Sequence, residues 1–159
     1  MSRTHTWEFP LPRTHTGVLL GNGTLGAIVW GEGPDLRITL GRADHWDHRG
    51  GMPWTEKMSY AAIRDCLERG DEAGLRDLFE RTDEGEGVPR RPTVLPVGRV
   101  DLHLGEEVTL LTGTLDMESG ELVVAVEKAG LTHEIRVTCD MERPALIVEL
   151  PDALEGAEA

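Results

Sequence analysis

Only two of the 159 residues are cysteine, Cys66 on a predicted helix and Cys139 at the end of a predicted strand. No disulfide framework is therefore implied, and the expected state is two buried free thiols. Basic residues are also scarce: 16 lysines and arginines stand against 29 acids, a formal charge of -13. That balance repels phosphate backbones and anionic lipid, so neither nucleic acid nor a membrane surface is an expected partner. No apolar run approaches the ~20 residues of a membrane span. Met1-Ser2-Arg3-Thr4-His5-Thr6 lacks the apolar core of a secretory signal, so the chain as written reads as cytoplasmic unless a signal precedes it. A nucleophile elbow, a phosphate-binding loop, paired C-x-x-C spacing and an internal repeat are all missing, which removes the usual one-motif routes to an activity.

What is present is strand material punctuated by glycine. A chain of this length supports one domain with a sizeable core. Gly26 to Trp30 and Leu36 to Leu40 flank Gly31-Glu32-Gly33-Pro34-Asp35 and predict a hairpin, with a second tight turn at Asn22-Gly23. From Thr55 the period becomes helical. Met58, Ala62 and Cys66 align with Ile63 and Leu67, Gly70 is placed to end the helix, and Asp71 to cap a second one carrying Leu75, Leu78 and Phe79. Thr82 to Pro96 reads as a polar surface connection. Beyond it, period-two alternation returns in Val100/Leu102/Leu104, Leu122/Val124/Val126, Leu131/Ile135/Val137 and Leu146/Val148/Leu150, with Gly105, Gly113, Gly120, Gly130 and Pro144 as separators. The expected architecture is a mainly β, antiparallel β-sandwich over residues 1–151, with a two-helix insertion at about 55–81 and an acidic, fraying tail at 152–159.

The chemistry-bearing stretch is Arg42-Ala43-Asp44-His45-Trp46-Asp47-His48-Arg49-Gly50-Gly51, followed by Trp54. His45 and His48 with Asp44 and Asp47 offer nitrogen and oxygen ligands to a divalent metal, but the same groups serve equally to cap turns and pair with Arg42 and Arg49. Trp46 and Trp54 present flat faces that stack on a pyranose or plug a domain interface. Asn22 is a hydrogen-bonding candidate whose position between glycines is also that of a turn residue at positive φ. His133, in phase with Ile135 and Val137, reads as a satisfied histidine at the core or sheet rim.

The run Leu20-Gly21-Asn22-Gly23-Thr24-Leu25-Gly26-Ala27-Ile28-Val29-Trp30-Gly31, then Leu36 to Leu40, then the loop to Gly50, resembles the amino-terminal β-sandwich of large bacterial glycoside hydrolases. The α-L-fucosidase-like enzymes of family 95 share this P-L-G-N-G-R-L-G-A-type opening. Leu95-Pro96-Val97-Gly98-Arg99-Val100-Asp101-Leu102 and Gly113-Thr114-Leu115-Asp116-Met117 echo later strands of that pattern. The resemblance implies a supersandwich-like fold and a catalytic (α/α) barrel, absent from these residues, that carries the general acid and base of an inverting hydrolysis. It implies no catalytic residue, metal or cofactor here. Asn22, Asp44, His45, Trp46, Asp47, His48 and Trp54 then stand at the substrate cleft or domain interface, where an oligosaccharide would be met. Two other readings remain open: an independent carbohydrate-binding module, and a small metal-dependent hydrolase built on Asp44 to His48. An incomplete sandwich also predicts an exposed apolar edge through which two copies would pair.

Overall fold

The computed structural model describes residues 3–48, 57–79, 92–154 and 156. The chain divides into two units, residues 1–45 with 95–159, and residues 46–94.

The first unit is the expected antiparallel sandwich. Its strands are β1 (Thr4–Glu8), β2 (Val18–Gly21), β3 (Leu25–Glu32), β4 (Asp35–Asp47), β5 (Thr93–His103), β6 (Val108–Asp116), β7 (Glu121–Lys128), β8 (Leu131–Cys139) and β9 (Leu146–Glu149). The ends of β4 and β5 run on into the second unit. One sheet has the order β1-β6-β7-β8-β9 and the other β2-β3-β4-β5. Strict alternation explains the core: Val18, Ala27, Val29, Leu36 and Ile38 point inward from one sheet and meet Val108, Leu122, Val124, Val126, Ile135 and Val137 from the other. Each fully buried valine, leucine or isoleucine among them contributes about 1.5–3 kcal/mol.

The hairpin is longer and its turn tighter than the glycine pattern predicts. Glu32 pairs with Asp35, so only Gly33 and Pro34 make the turn, with Gly33 at φ 55°. Gly31 belongs to the strand, where it exchanges backbone hydrogen bonds with Leu11 at 2.9 Å in each direction. Gly113, expected as a separator, lies inside β6 opposite Trp7 and Val124. A Cβ there would stand 3.4 Å from both Phe9 and Leu122, an ordinary van der Waals contact, so this glycine makes no turn and its place in the strand would admit alanine. Thr93 to Pro96 belong to β5 rather than to a surface connection; Pro96 is tolerated because β5 is an edge strand. At the other end, Asp152–Leu154 form a 3-10 turn that buries Leu154 in the core, so this part of the acidic tail is anchored.

In the second unit, α1 (Tyr60–Arg69) starts beyond Met58, which the helical period had included, because the Ser59 hydroxyl caps it by accepting from the Ala62 N–H; Thr55, where that period begins, lies outside the described residues. Gly70 ends it in the left-handed conformation, as expected. The Asp71 carboxylate then accepts from the Gly74 N–H at 2.8 Å and opens α2 (Glu72–Phe79). Cys66 is buried, whereas Leu67, assigned to the same apolar side, is exposed. Cys66 and Cys139 are both free thiols, and partial burial pushes the Cys139 thiol up from its ordinary pKa.

Candidate functional site

Asn22 lies in the β2–β3 turn, and all its hydrogen-bonding capacity is engaged by the fold. Its Oδ1 accepts from the Thr24 and Leu25 N–H groups at 3.0 and 2.8 Å, closing an Asx turn. Its Nδ2 donates to the Asp140 and Arg143 carbonyls at 2.6 and 2.9 Å. The side chain thus ties the turn of one sheet to the β8–β9 loop of the other. Positive φ falls on Gly23, at 88°, and not on Asn22. Spacing could not disclose these bonds, since the partners are 118 and 121 residues away.

The β8–β9 loop is itself closed by Asp140. Its carboxylate accepts from the Glu142 and Arg143 N–H groups at 2.9 and 3.0 Å, and from the Arg143 guanidinium at 2.8 Å. Chiefly the bond to the Glu142 N–H, then that to the Arg143 side chain, holds this carboxyl below the usual carboxylate range. A group depressed in the folded state adds stability above its unfolded pKa and loses it as pH falls through the lower folded value. Asp140→Asn is therefore expected to destabilise the domain at pH 7, and the gap from the parent protein to shrink below about pH 4. Urea denaturation of both proteins at neutral and acid pH checks this; a gap independent of pH would count against it.

Along β4, the Arg42 guanidinium grips the Asp44 carboxylate with two hydrogen bonds, of 2.9 and 2.7 Å. This pairing holds Asp44 below the usual carboxylate range. His45 and His48 are exposed, Asp47 is half-buried, and Trp46 is 43% exposed. Because the backbone is extended, residues one and three positions apart point to opposite faces. Asp44 and Trp46 accordingly share one face of the strand, with His45 and Asp47 on the other. Among the described residues no group of three or more His, Cys, Asp or Glu side chains is arranged to hold a metal. Arg49 and Trp54 lie outside the described residues.

Two features of the sandwich were not singled out in the sequence. The first is Trp30, 7% exposed and counted with the buried core. Its indole N–H donates to the Thr39 hydroxyl at 3.0 Å, and the Arg37 and Arg99 guanidinium carbons stand 5.2 and 5.7 Å from the ring centroid. Asp35 and Asp101 pair with these arginines, and His103 Nδ1 lies 2.8 Å from Asp35. Direct pairing of Trp30 with Arg37 across β3 and β4 builds this cluster, and the alternation of the predicted hairpin was the available signal.

The second is an open apolar cavity of about 540 Å3 between the two sheets, bounded by the edge strands β5 and β9. Ile38, Leu40, Val100, Leu146 and Val148 line it, with Arg42 and Pro144 also on its wall. The alternation of Leu146, Val148 and Leu150 marked these residues as facing a core. All three line the cavity; Leu146 and Val148 pack against the core, whereas Leu150 is exposed.

The fold and its polar loops define an antiparallel β-sandwich module with one well-knit end and one open apolar flank. Residues 4–155 match the family model described as glycosyl hydrolase family 65, N-terminal domain, and the chain belongs to that family. A glycoside hydrolase amino-terminal domain was expected from the resemblance; family 65 stands in the match where family 95 was expected. No curated protein matches the chain.

Proposed function

We propose that this chain is a non-catalytic amino-terminal domain of a glycoside hydrolase, packing on a helical barrel that carries the acid and base. The carrying observation is electrostatic. Glycoside hydrolysis needs two carboxyl groups, one of them kept protonated near neutral pH by an apolar pocket. Among the described residues no polar or charged side chain is buried. Among the described residues the carboxyls that are displaced, Asp44, Glu107 and Asp140, are all pushed down by hydrogen bonds and cations, the reverse of what a general acid requires. The loop from His45 to Trp54 is then the part closest to the substrate cleft, orienting a sugar without bearing the acid. An α-L-fucoside is the first substrate to try, on the strength of the Leu20 to Ala27 motif.

An independent carbohydrate-binding module is the second reading, favoured by the partial exposure of Trp46. A panel of aryl glycosides, incubated with this chain and with a product extended through the downstream coding region, tests the proposal. Hydrolysis by the extended product alone is the expected result. Turnover by the 159 residues would overturn it. A tryptophan fluorescence shift on adding oligosaccharide to the short chain, without turnover, would favour the binding module.

A further inference from the structure

Asn22 is the only asparagine among the 159 residues and the sequence contains no glutamine, so it carries the single side-chain amide of the chain. Glycine follows it. That order matters chemically, because the backbone nitrogen of the next residue is the nucleophile that attacks an asparagine Cγ, and glycine has no Cβ to hinder the approach. At Gly23 even an added Cβ would meet nothing within 4 Å, so the surrounding fold sets no steric obstacle of its own. Four hydrogen bonds restrain the pair instead. Nδ2, the atom that would leave, donates to the Asp140 and Arg143 carbonyls, and Oδ1 accepts from the Thr24 and Leu25 N–H groups. Attack makes Cγ tetrahedral and then cuts the Cγ–Nδ2 bond, which cannot proceed while the amide plane is held at both ends.

We propose that Asn22-Gly23 is a self-modification site gated by the fold, which makes the tie between the two sheets a one-way latch. In an unfolded chain the Gly23 nitrogen bonds to Asn22 Cγ, the Cγ–Nδ2 bond breaks, and Nδ2 departs as ammonia with the Gly23 amide proton, leaving a cyclic imide. Water then adds to one of the two imide carbonyls. Opening the Cγ–N bond gives aspartate; opening the bond to the original peptide carbonyl gives isoaspartate, in which the backbone runs through the side chain. Neither product restores the latch. Each exchanges the amide for a carboxylate, which has no hydrogen to donate to the Asp140 and Arg143 carbonyls. Isoaspartate also lengthens the backbone inside the β2–β3 turn, where the Asn22 N–H meets the Leu25 carbonyl at 3.1 Å. A chain that stays folded keeps its asparagine, and one left unfolded loses the capacity to re-form the tie.

Because there is one side-chain amide, ammonia released per chain, the mass of the peptide spanning Asn22 and the isoaspartate content all report on a single residue. The chain is incubated at mildly alkaline pH, folded and in guanidinium chloride. The folded chain is expected to react slower by a factor on the order of 100, since reaction waits on local opening of a side chain bound four ways. Denatured chains aged to completion and returned to native buffer should unfold at lower denaturant than fresh chains refolded beside them, with faster amide exchange over residues 140–145. Asp140→Ala loosens the loop that supplies both acceptor carbonyls, and should speed the reaction of the folded chain at least about tenfold. Val126→Ala truncates the core where β7 pairs with His133, away from that loop, and should leave the folded rate unchanged. Equal rates in folded and denatured chains would overturn the inference, as would aged chains that refold to full stability. So would equal acceleration by the two variants, which would place the protection in global unfolding and not in the four bonds.

Discussion

Gly17→Ala is expected to cost about 3 kcal/mol and to lower the melting temperature by about 10 °C. The backbone at Gly17, with φ -74° and ψ 168°, is open to any residue, so conformation is not the reason. The reason is space. A Cβ at this position would lie 2.6 Å from Ile28 Cγ2, 2.7 Å from the Val29 carbonyl oxygen and 3.0 Å from Trp30 Cβ. Two of these three contacts are with atoms fixed to the backbone of β3, which no side-chain rotation relieves. Entry into β2 would have to move away from β3, straining the Val18–Val29 pair at the centre of the core. Gly41→Ala is the control, because a Cβ there meets nothing within 4 Å, and its effect should stay within about 0.5 kcal/mol. Thermal and urea unfolding of both variants provide the check: equal melting curves would show that β2 yields more readily than a packed sheet should.

The same logic separates what was legible in the sequence from what was not. Period-two alternation marked β7, β8 and the β3–β4 hairpin, because both faces of those strands have decided fates and the pattern follows from burial. The α2 cap at Asp71 and the left-handed Gly70 were legible because each is a local event within four residues. β1 was not. It is an edge strand whose residues are exposed except for half-buried Trp7, so Thr4-His5-Thr6-Trp7-Glu8 carries little apolar signal. Gly113 misled because a glycine in mid-strand looks, in sequence, like a glycine that turns the chain. The candidate site divides the same way. That Trp46 and the Asp44 carboxylate sit on an accessible segment could be read from polarity, whereas the bidentate grip of Arg42 on Asp44 and the tie from Asn22 to the β8–β9 loop depend on which side chains the fold brings together. Long-range polar contacts leave no periodic trace.

Asn22→Ala is the second large effect, expected at about 2–4 kcal/mol because four hydrogen bonds go with one side chain. The loss has two parts. Removing Oδ1 opens the Asx turn and frees the Thr24 and Leu25 N–H groups; removing Nδ2 takes one donor from the Asp140 carbonyl and leaves the Arg143 carbonyl with the Ala145 N–H. Asn22→Asp separates them, since it retains two acceptor oxygens for the turn but has no hydrogen to donate and sets a negative charge against two carbonyl oxygens. It should be no more stable than the alanine variant, and its β8–β9 loop should exchange amide hydrogen faster than the parent protein's. Because Pro144 within that loop and Leu146 just after it line the open cavity, loosening the loop should also increase uptake of an apolar fluorescent dye there. Urea unfolding, with amide exchange followed over residues 140–145, measures both parts. An aspartate variant as stable as the parent would mean that the tie between the two sheets carries little of the stability, and that the Asx turn alone accounts for asparagine at this position.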